Sequence, residues 1–228
     1  MQQTQDYSKQ EKQYWDNRGV VDYVSLSDHD QKRIDEWIQW KGYGTVLDIG
    51  GGSGMISRLL MRQPDTYCIC LDLSMHMLKH SPVTAVQADA MYLPFANESF
   101  DLVVAAAFFH HIPGQESSLL KECWRILKPG GRLIGYDPNA HCIQNVLFMT
   151  DGILRLKFFS PDELPIAPEL MKKVSIDANY SHFTCKLFTF KNDKLTMFEI
   201  IQRFLINPFS IGFMKKYLDR WFFWTATK

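Results

Sequence analysis

The segment Val46-Leu47-Asp48-Ile49-Gly50-Gly51-Gly52-Ser53-Gly54 limits the possible folds more than any other stretch of the chain. An apolar run of strand length leads directly into four glycines, and Met55, Ile56, Leu59 and Leu60 then recur at helical spacing. Strand, glycine turn and helix form the opening unit of a doubly wound sheet. Glycine allows the tight turn and the close approach of backbone to a ligand, and the first amides of the helix face an anion. The spacing excludes two relatives of this unit. A dinucleotide fingerprint needs glycines at relative positions one, three and six, but the sixth position is Met55 counted from Gly50 and Ser57 counted from Gly52. No Lys-Ser/Thr pair follows, which excludes a phosphate-binding P-loop. A GxGxG pattern over Gly50, Gly52 and Gly54 remains.

The same alternation continues to about residue 136. After the first strand, Thr45 to Ile49, a second is expected over Tyr67 to Leu71, ending at Asp72, and Ser74 is placed to cap a helix over Met75 to His80. A third strand, Thr84 to Gln87, runs toward Asp89, and a fourth covers Leu102 to Ala107. A helix over Gln115 to Leu127, the turn Lys128-Pro129-Gly130-Gly131 and a fifth strand, Arg132 to Tyr136, follow. This order predicts an α/β protein with a parallel, doubly wound sheet and right-handed crossovers. Before it, residues 8–40 read as amphipathic helix interrupted near Gly19. After it, Thr184 to Phe190 and Arg220 to Thr227 read as strands on either side of an apolar helical piece, Leu195 to Ile206.

Ligands of such sheets bind beyond the carboxyl ends of the strands. The glycines, Asp72, Asp89, His110 and His111 all fall there. Asp72 is positioned to accept both hydroxyls of a ribose, and Asp89 to accept an adenine amino group. Either aspartate alone would read as a helix cap. Two at successive strand ends beside a GxGxG turn point to a bound nucleoside.

Composition removes other classes. The 228 residues carry 25 basic and 25 acidic side chains and are 46% hydrophobic, which is globular rather than disordered and lacks the basic footprint of a nucleic-acid binder. No run reaches the roughly 18 apolar residues of a membrane span, and no secretory leader is visible. Five cysteines without CxxC spacing suggest reduced thiols and a cytoplasmic protein. The charge is unevenly spread: residues 139–228 hold 16 of the 31 aromatics and 12 basic against 8 acidic residues.

Four motifs in order resemble the class I S-adenosylmethionine-dependent methyltransferases, in particular small-molecule enzymes related to the ubiquinone/menaquinone methyltransferases. They are the Val46–Gly54 segment, Leu71-Asp72-Leu73-Ser74, Ala88-Asp89-Ala90 with Leu93-Pro94-Phe95 and Phe100-Asp101-Leu102-Val103-Val104, and Leu127-Lys128-Pro129-Gly130-Gly131. The resemblance implies a seven-stranded, mostly parallel, Rossmann-like methyltransferase sheet with an antiparallel last strand and an aromatic-rich cap. It implies one domain over residues 1–228: an N-terminal helical lid (1–43), a cofactor-binding core (44–136) and substrate-side segments (137–228). The implied cofactor is S-adenosyl-L-methionine, leaving as S-adenosyl-L-homocysteine. Gly50 and Gly52 would line its methionine part, Asp72 its ribose, Leu73 and Met77 the adenine faces, and Asp89 and Ala90 the adenine edge. Backbone at Ala106 and Ala107 would receive its ammonium, and Asp48, Gly51 and Met91 complete the cofactor-side set. Tyr14, Trp15 and Arg18, in Tyr14-Trp15-Asp16-Asn17-Arg18, match a helix that closes over the cofactor.

Methyl transfer from a sulfonium is an in-line displacement, so a general base is needed only for an acceptor that must lose a proton. His110, His111 and His141 are the candidates. No His/Cys spacing resembles a metal site. The position after the fourth strand reads Ala107-Phe108-Phe109-His110-His111-Ile112, without the Asn/Asp-Pro-Pro-aromatic motif of nucleic-acid and protein amino-methyltransferases. Aromatics of the last third (Phe158, Phe159, Phe183, Phe188, Phe190, Phe198, Phe204, Phe209 and Phe213) suit a small apolar or aromatic acceptor. A looser similarity, through Asp137-Pro138-Asn139 and Arg220-Trp221-Phe222-Phe223-Trp224, is to bacterial methyltransferases of cell-surface glycan or lipid-linked sugar synthesis. Two further readings stay open: a peripheral membrane-surface methyltransferase or binder acting on lipid-linked precursors, and a non-catalytic cofactor-binding regulator. The sequence carries no sign of an oligomeric state.

Overall fold

In a computed structural model, residues 2–17, 27–150, 160, 163–188, 217 and 219–228 are described, with side chains from Lys9 onward. Arg18, the Leu195 to Ile206 piece, and Phe158, Phe159, Phe190, Phe198, Phe204, Phe209 and Phe213 lie outside the described residues. The elements are α1 (Gln2–Asn17), α2 (Asp28–Ile38), β1 (Gly44–Ile49), α3 (Met55–Leu60), β2 (Thr66–Asp72), α4 (Met75–Leu78), β3 (Thr84–Gln87), β4 (Phe100–Ala106), α5 (Glu116–Ile126), β5 (Leu127–Pro138), α6 (Ile143–Met149), α7 (Pro168–Asp177), β6 (Ser181–Phe188) and β7 (Trp221–Thr227). A single turn of 3-10 helix, Phe109–His111, follows β4.

The seven strands form one sheet in the order β3-β2-β1-β4-β5-β7-β6. Strands β1 to β5 pair in parallel, and β7 lies antiparallel between β5 and β6. The chain winds outward from β1 through β2 to β3, then returns to the other side of β1 as β4. The order therefore reverses between β1 and β4, where a doubly wound sheet opens a crevice.

Alternation along the central strands sorts the core into two faces. Leu47, Val103, Leu133 and Trp224 pack on one face with Leu119, Leu120 and Cys123 of α5. Val46, Leu102, Ile134 and Phe223 pack on the other with Ile34 and Ile38 of α2 and Ile56 and Leu59 of α3. Phe223 stacks on Phe188 with ring centroids 3.8 Å apart, which ties β7 to the edge strand β6. Trp224 is fully buried and crosses over Gly135 of β5, where a Cβ would fall 2.5 Å from its ring. Most of the terminal aromatic cluster is thus sheet core.

Two strands begin three or more residues ahead of the sequence reading. β5 begins at Leu127, ahead of the Pro-Gly-Gly turn, because Leu127 pairs with Phe100 before the register shifts and Arg132 pairs with Leu102. β6 begins at Ser181 rather than Thr184, with a second register shift between Ser181 and Thr184, and Phe190 lies outside the described residues.

Candidate active site

β1 delivers its carboxyl end to the crevice, and the chain turns there through glycine. Gly50 has φ 63°, and a Cβ on it would lie 2.1 Å from the Phe108 ring, so both conformation and space demand glycine. Gly52 has φ 53° and presents its amide to Asp72, whose Oδ2 accepts it at 2.9 Å while Oδ1 accepts the Ser74 amide at 2.8 Å. Burial pushes the Asp72 carboxyl up, and the Ser74 and Gly52 amides oppose that shift. Ser74 also caps α4 through Met77 N–H, as its place in the sequence suggests.

Asp48 is fully buried below the turn. Its Oδ2 accepts the Ser57 amide at 3.0 Å and the Ser57 hydroxyl at 2.6 Å, whereas Oδ1 has no hydrogen-bond partner among the described residues. Burial raises this carboxyl to about 6 despite the Ser57 bonds. Asp89 uses Oδ1 to accept the Met91 amide at 2.9 Å, a local turn that holds the Ala90-Met91 segment.

One cavity of about 520 Å³ joins these groups. It is lined by Asp48, Gly50, Gly51, Gly52, Asp72, Leu73, Met77, Asp89, Ala90, Met91, Ala106 and Ala107, and by His110 and His111. The structure also brings in residues to which the sequence reading gave no catalytic or cofactor role: Glu11, Phe108, Tyr136, Asn145, Met149, Glu163, Arg220 and Trp221. Trp15 lines the cavity, with its ring centroid 5.6 Å from that of His111, and Tyr14 packs edge-on behind Trp15 without lining it.

The two adjacent histidines have different surroundings. His110 is buried, and its Nδ1 is hydrogen-bonded to Asp137 Oδ1 at 3.1 Å. The same Asp137 oxygen accepts the His110 amide, and its other oxygen accepts Trp224 Nε1–H at 3.0 Å. Burial holds the imidazole neutral, down to about 3, and pushes Asp137 up to about 7. The bond therefore joins a neutral histidine to a carboxylate that is costly to ionise. His111 Nδ1 lies 3.4 Å from Glu163 Oε1 and 3.6 Å from Glu11 Oε2. His141 does not line the cavity: Asn139 turns the chain by accepting the His141 amide, and His141 Nε2 meets Glu169 on the surface at 2.6 Å.

The helix α1 reaches across this site. Asp16 Oδ1 accepts Ser74 Oγ–H at 2.5 Å beside the glycine turn, and Glu11 Oε1 accepts Ser160 Oγ–H at 2.5 Å on the opposite side.

Residues 47–135 match the family described as methyltransferase domain. The ubiquinone/menaquinone biosynthesis C-methyltransferase of Dinoroseobacter shibae is 33% identical over 111 residues, 43% of this chain and 44% of that protein. The chain spans about half the length of the curated relatives it matches. Among solved structures, an S-adenosylmethionine-dependent methyltransferase from Archaeoglobus fulgidus superposes with a TM-score of 0.68 at 21% identity, covering 88% of this chain and 94% of that one. Phosphoethanolamine N-methyltransferase 2 of Haemonchus contortus, solved in complex with S-adenosyl-L-methionine, gives 0.65 at 18% identity over 92% of this chain and 55% of that one. At these identities the structural likeness establishes the fold. Residues 47–135 thus carry a methyltransferase domain, and the seven-stranded sheet around it has the fold of solved S-adenosylmethionine-dependent methyltransferases.

Proposed function

We propose that the protein transfers the methyl group of S-adenosylmethionine to a small acceptor. The observation that carries this reading is the single cavity shared by the glycine turn, Asp48 and Asp72 on one hand and His110, His111 and Glu163 on the other. Its volume, about 520 Å³, falls within the ~300–1,000 Å³ of small-molecule sites.

The residues present fit the cofactor. Asp48 Oδ1 is an orphaned buried acceptor beside the turn, which suits the positive charge of a methionine ammonium or sulfonium. Gly52 leaves open backbone where a side chain would intrude, and Asp72 is anchored at both oxygens with lone pairs left for ribose hydroxyls. Leu73, Met77, Ala90 and Met91 supply apolar surface for adenine, with Asp89 at its edge. When bound, the cofactor supplies a methyl already activated by sulfonium. The chain then has to bind, align and exclude water. Trp15 and Glu11 bring α1 over the cavity, which supports residues 1–43 as a lid on a single domain of 1–228, with 44–136 as its cofactor core and 137–228 as its substrate side.

Trp15, Phe108, Tyr136 and Trp221 give the acceptor an apolar wall, and His110, His111, Glu11 and Glu163 give it a polar end. A small, apolar or aromatic acceptor with one polar group to be methylated fits this division. Among the described residues no helix is long and apolar enough to cross a membrane. All five cysteines are free, in keeping with a cytoplasmic setting. The test is mass-spectrometric detection of methylated product and S-adenosylhomocysteine across phenols, amines, quinone precursors and lipid-linked sugars. Turnover of one acceptor class supports the reading. Cofactor binding without turnover of any of them favours a regulatory binder.

A further inference from the structure

Three ligand-bearing side chains, two adjacent and one distant in sequence, converge in the cavity. His110, His111 and Glu163 each offer a ligand atom, and these atoms all lie within 4.8 Å of one another. Neighbouring residues on a 3-10 turn ordinarily point about 120° apart. Here the two imidazole centroids are 4.1 Å apart and the rings are tilted by only 37°. The turn after β4, entered through Ala107 at φ 52°, swings both rings to one side. The 3.4 Å between His111 Nδ1 and Glu163 Oε1 matches the ligand-to-ligand edge of about 3.3–3.4 Å around a tetrahedral ion with bonds near 2.0–2.1 Å.

We propose that His110, His111 and Glu163 form a three-ligand site for a divalent first-row transition-metal ion of the zinc type, with its remaining coordination position open to the cavity. The environment supports each part of this assignment. His110 Nδ1 is held 3.1 Å from Asp137 Oδ1, which leaves Nε2 as the ligand nitrogen. A carboxylate behind a ligating imidazole is the usual outer support of such sites. Asp137 is itself held by Trp224 Nε1–H, so the support does not depend on solvent. Glu11, 3.6 Å from His111, is a second buried carboxylate, and two negative charges balance a doubly charged ion. Two imidazoles and one carboxylate suit zinc, cobalt or iron(II), whereas magnesium and calcium favour all-oxygen sets. Three protein ligands with an open fourth position are the arrangement of metal sites that bind water or substrate. The open position would take an acceptor's hydroxyl or carboxylate oxygen; only this last assignment rests on the methyltransferase reading.

The test is a Co²⁺ titration of the untagged chain without cofactor, read by visible ligand-field absorption and equilibrium dialysis. The expected result is one Co²⁺ per chain, displaced by Zn²⁺. Glu163→Gln and His111→Asn should each remove the absorption band, and Asp137→Asn should weaken binding by about 10–100-fold while keeping one site. Thermal unfolding in EDTA shows whether each variant folds, and any one folded ligand variant decides the matter. No absorption band at millimolar Co²⁺, or a band of unchanged affinity in a folded Glu163→Gln or His111→Asn protein, overturns the proposal. Calorimetry with S-adenosylmethionine on the same samples keeps the two readings apart. Failure there with intact Co²⁺ binding strikes the methyltransferase reading and leaves the metal site standing.

Discussion

Asp72 Oδ2 accepts the amide of Gly52 at 2.9 Å, so the end of β2 locks the shape of the turn that leaves β1. One carboxylate holds the glycine turn and faces the cavity with its remaining lone pairs. A change at either residue is therefore felt by the ligand before it is felt by the fold.

Gly50 and Gly52 should respond differently to alanine. At Gly50 the new methyl would meet the Phe108 ring at 2.1 Å in a left-handed backbone, so Gly50→Ala should cost about 2–3 kcal/mol from strain and overpacking together. At Gly52 the nearest atom is the flexible Met77 Cε at 3.3 Å, so Gly52→Ala should cost only about 1 kcal/mol in stability. It should still weaken cofactor binding at least about 10-fold, since a methyl occupies the space of close approach. Melting temperatures and calorimetry on both variants check the contrast.

Burial pushes the Asp48 carboxyl up to about 6 in the folded protein against an ordinary aspartate value of 3.8, so its ionised form is penalised by folding. The penalty is present above about pH 6, shrinks as pH falls, and is gone below 3.8. Asp48→Asn should therefore stabilise the cofactor-free protein at pH 7.5 by up to about 3 kcal/mol, less whatever the Ser57 bonds lose. The gain should vanish near pH 4. A cationic ligand favours the ionised carboxylate, so the affinity of the parent protein for S-adenosylmethionine should fall as pH drops below 6. Denaturant melts and calorimetry across pH 4.5–8 measure both trends.

His141 and His111 separate by position. His141→Ala should leave cofactor affinity and turnover within about 2-fold, because it removes only a partly exposed ion pair with Glu169. His111→Ala should lower turnover by about 100-fold or more, the range lost with a group acting on the acceptor's proton or position. Steady-state kinetics on the two variants decides it.

Gly135 is a packing position with no direct part in the site. A Cβ there would lie 2.5 Å from the Trp224 ring and 2.6 Å from the Ala105 carbonyl oxygen, so Gly135→Ala should destabilise by about 1–3 kcal/mol. Trp224 also donates to Asp137, so the strain should reach His110. Urea denaturation measures the loss.

The sheet was legible because its signals are local. β2, β3 and β4 are short runs ending in a polar or small residue, and β1 runs straight into the glycine turn, where the backbone must double back. The residues that line the cavity at those strand ends followed, since strand ends are fixed once the strands are. The acceptor side was not legible for the opposite reason. Glu163 reaches His111 because residues 163–166 lie against the loop after β4, with the Leu164 amide on the His110 carbonyl and the Ile166 amide on that of Pro138. No pattern in the sequence announces those bonds. His141 misled because it follows the carboxyl end of β5, yet the Asn139 turn directs it outward. Of the two neighbouring aromatics expected over the site, Trp15 enters the cavity and Tyr14 does not, a choice of helix face that periodicity alone does not resolve.

Calorimetric titration of the protein with S-adenosylmethionine, repeated on Asp72→Ala, tests the central claim most directly. The account predicts one site per chain in the parent and a loss of affinity of at least about 100-fold in the variant, as expected when a carboxylate that both grips ribose and braces the Gly52 amide is removed. No binding by the parent, or unchanged affinity in a folded Asp72→Ala protein, would contradict it.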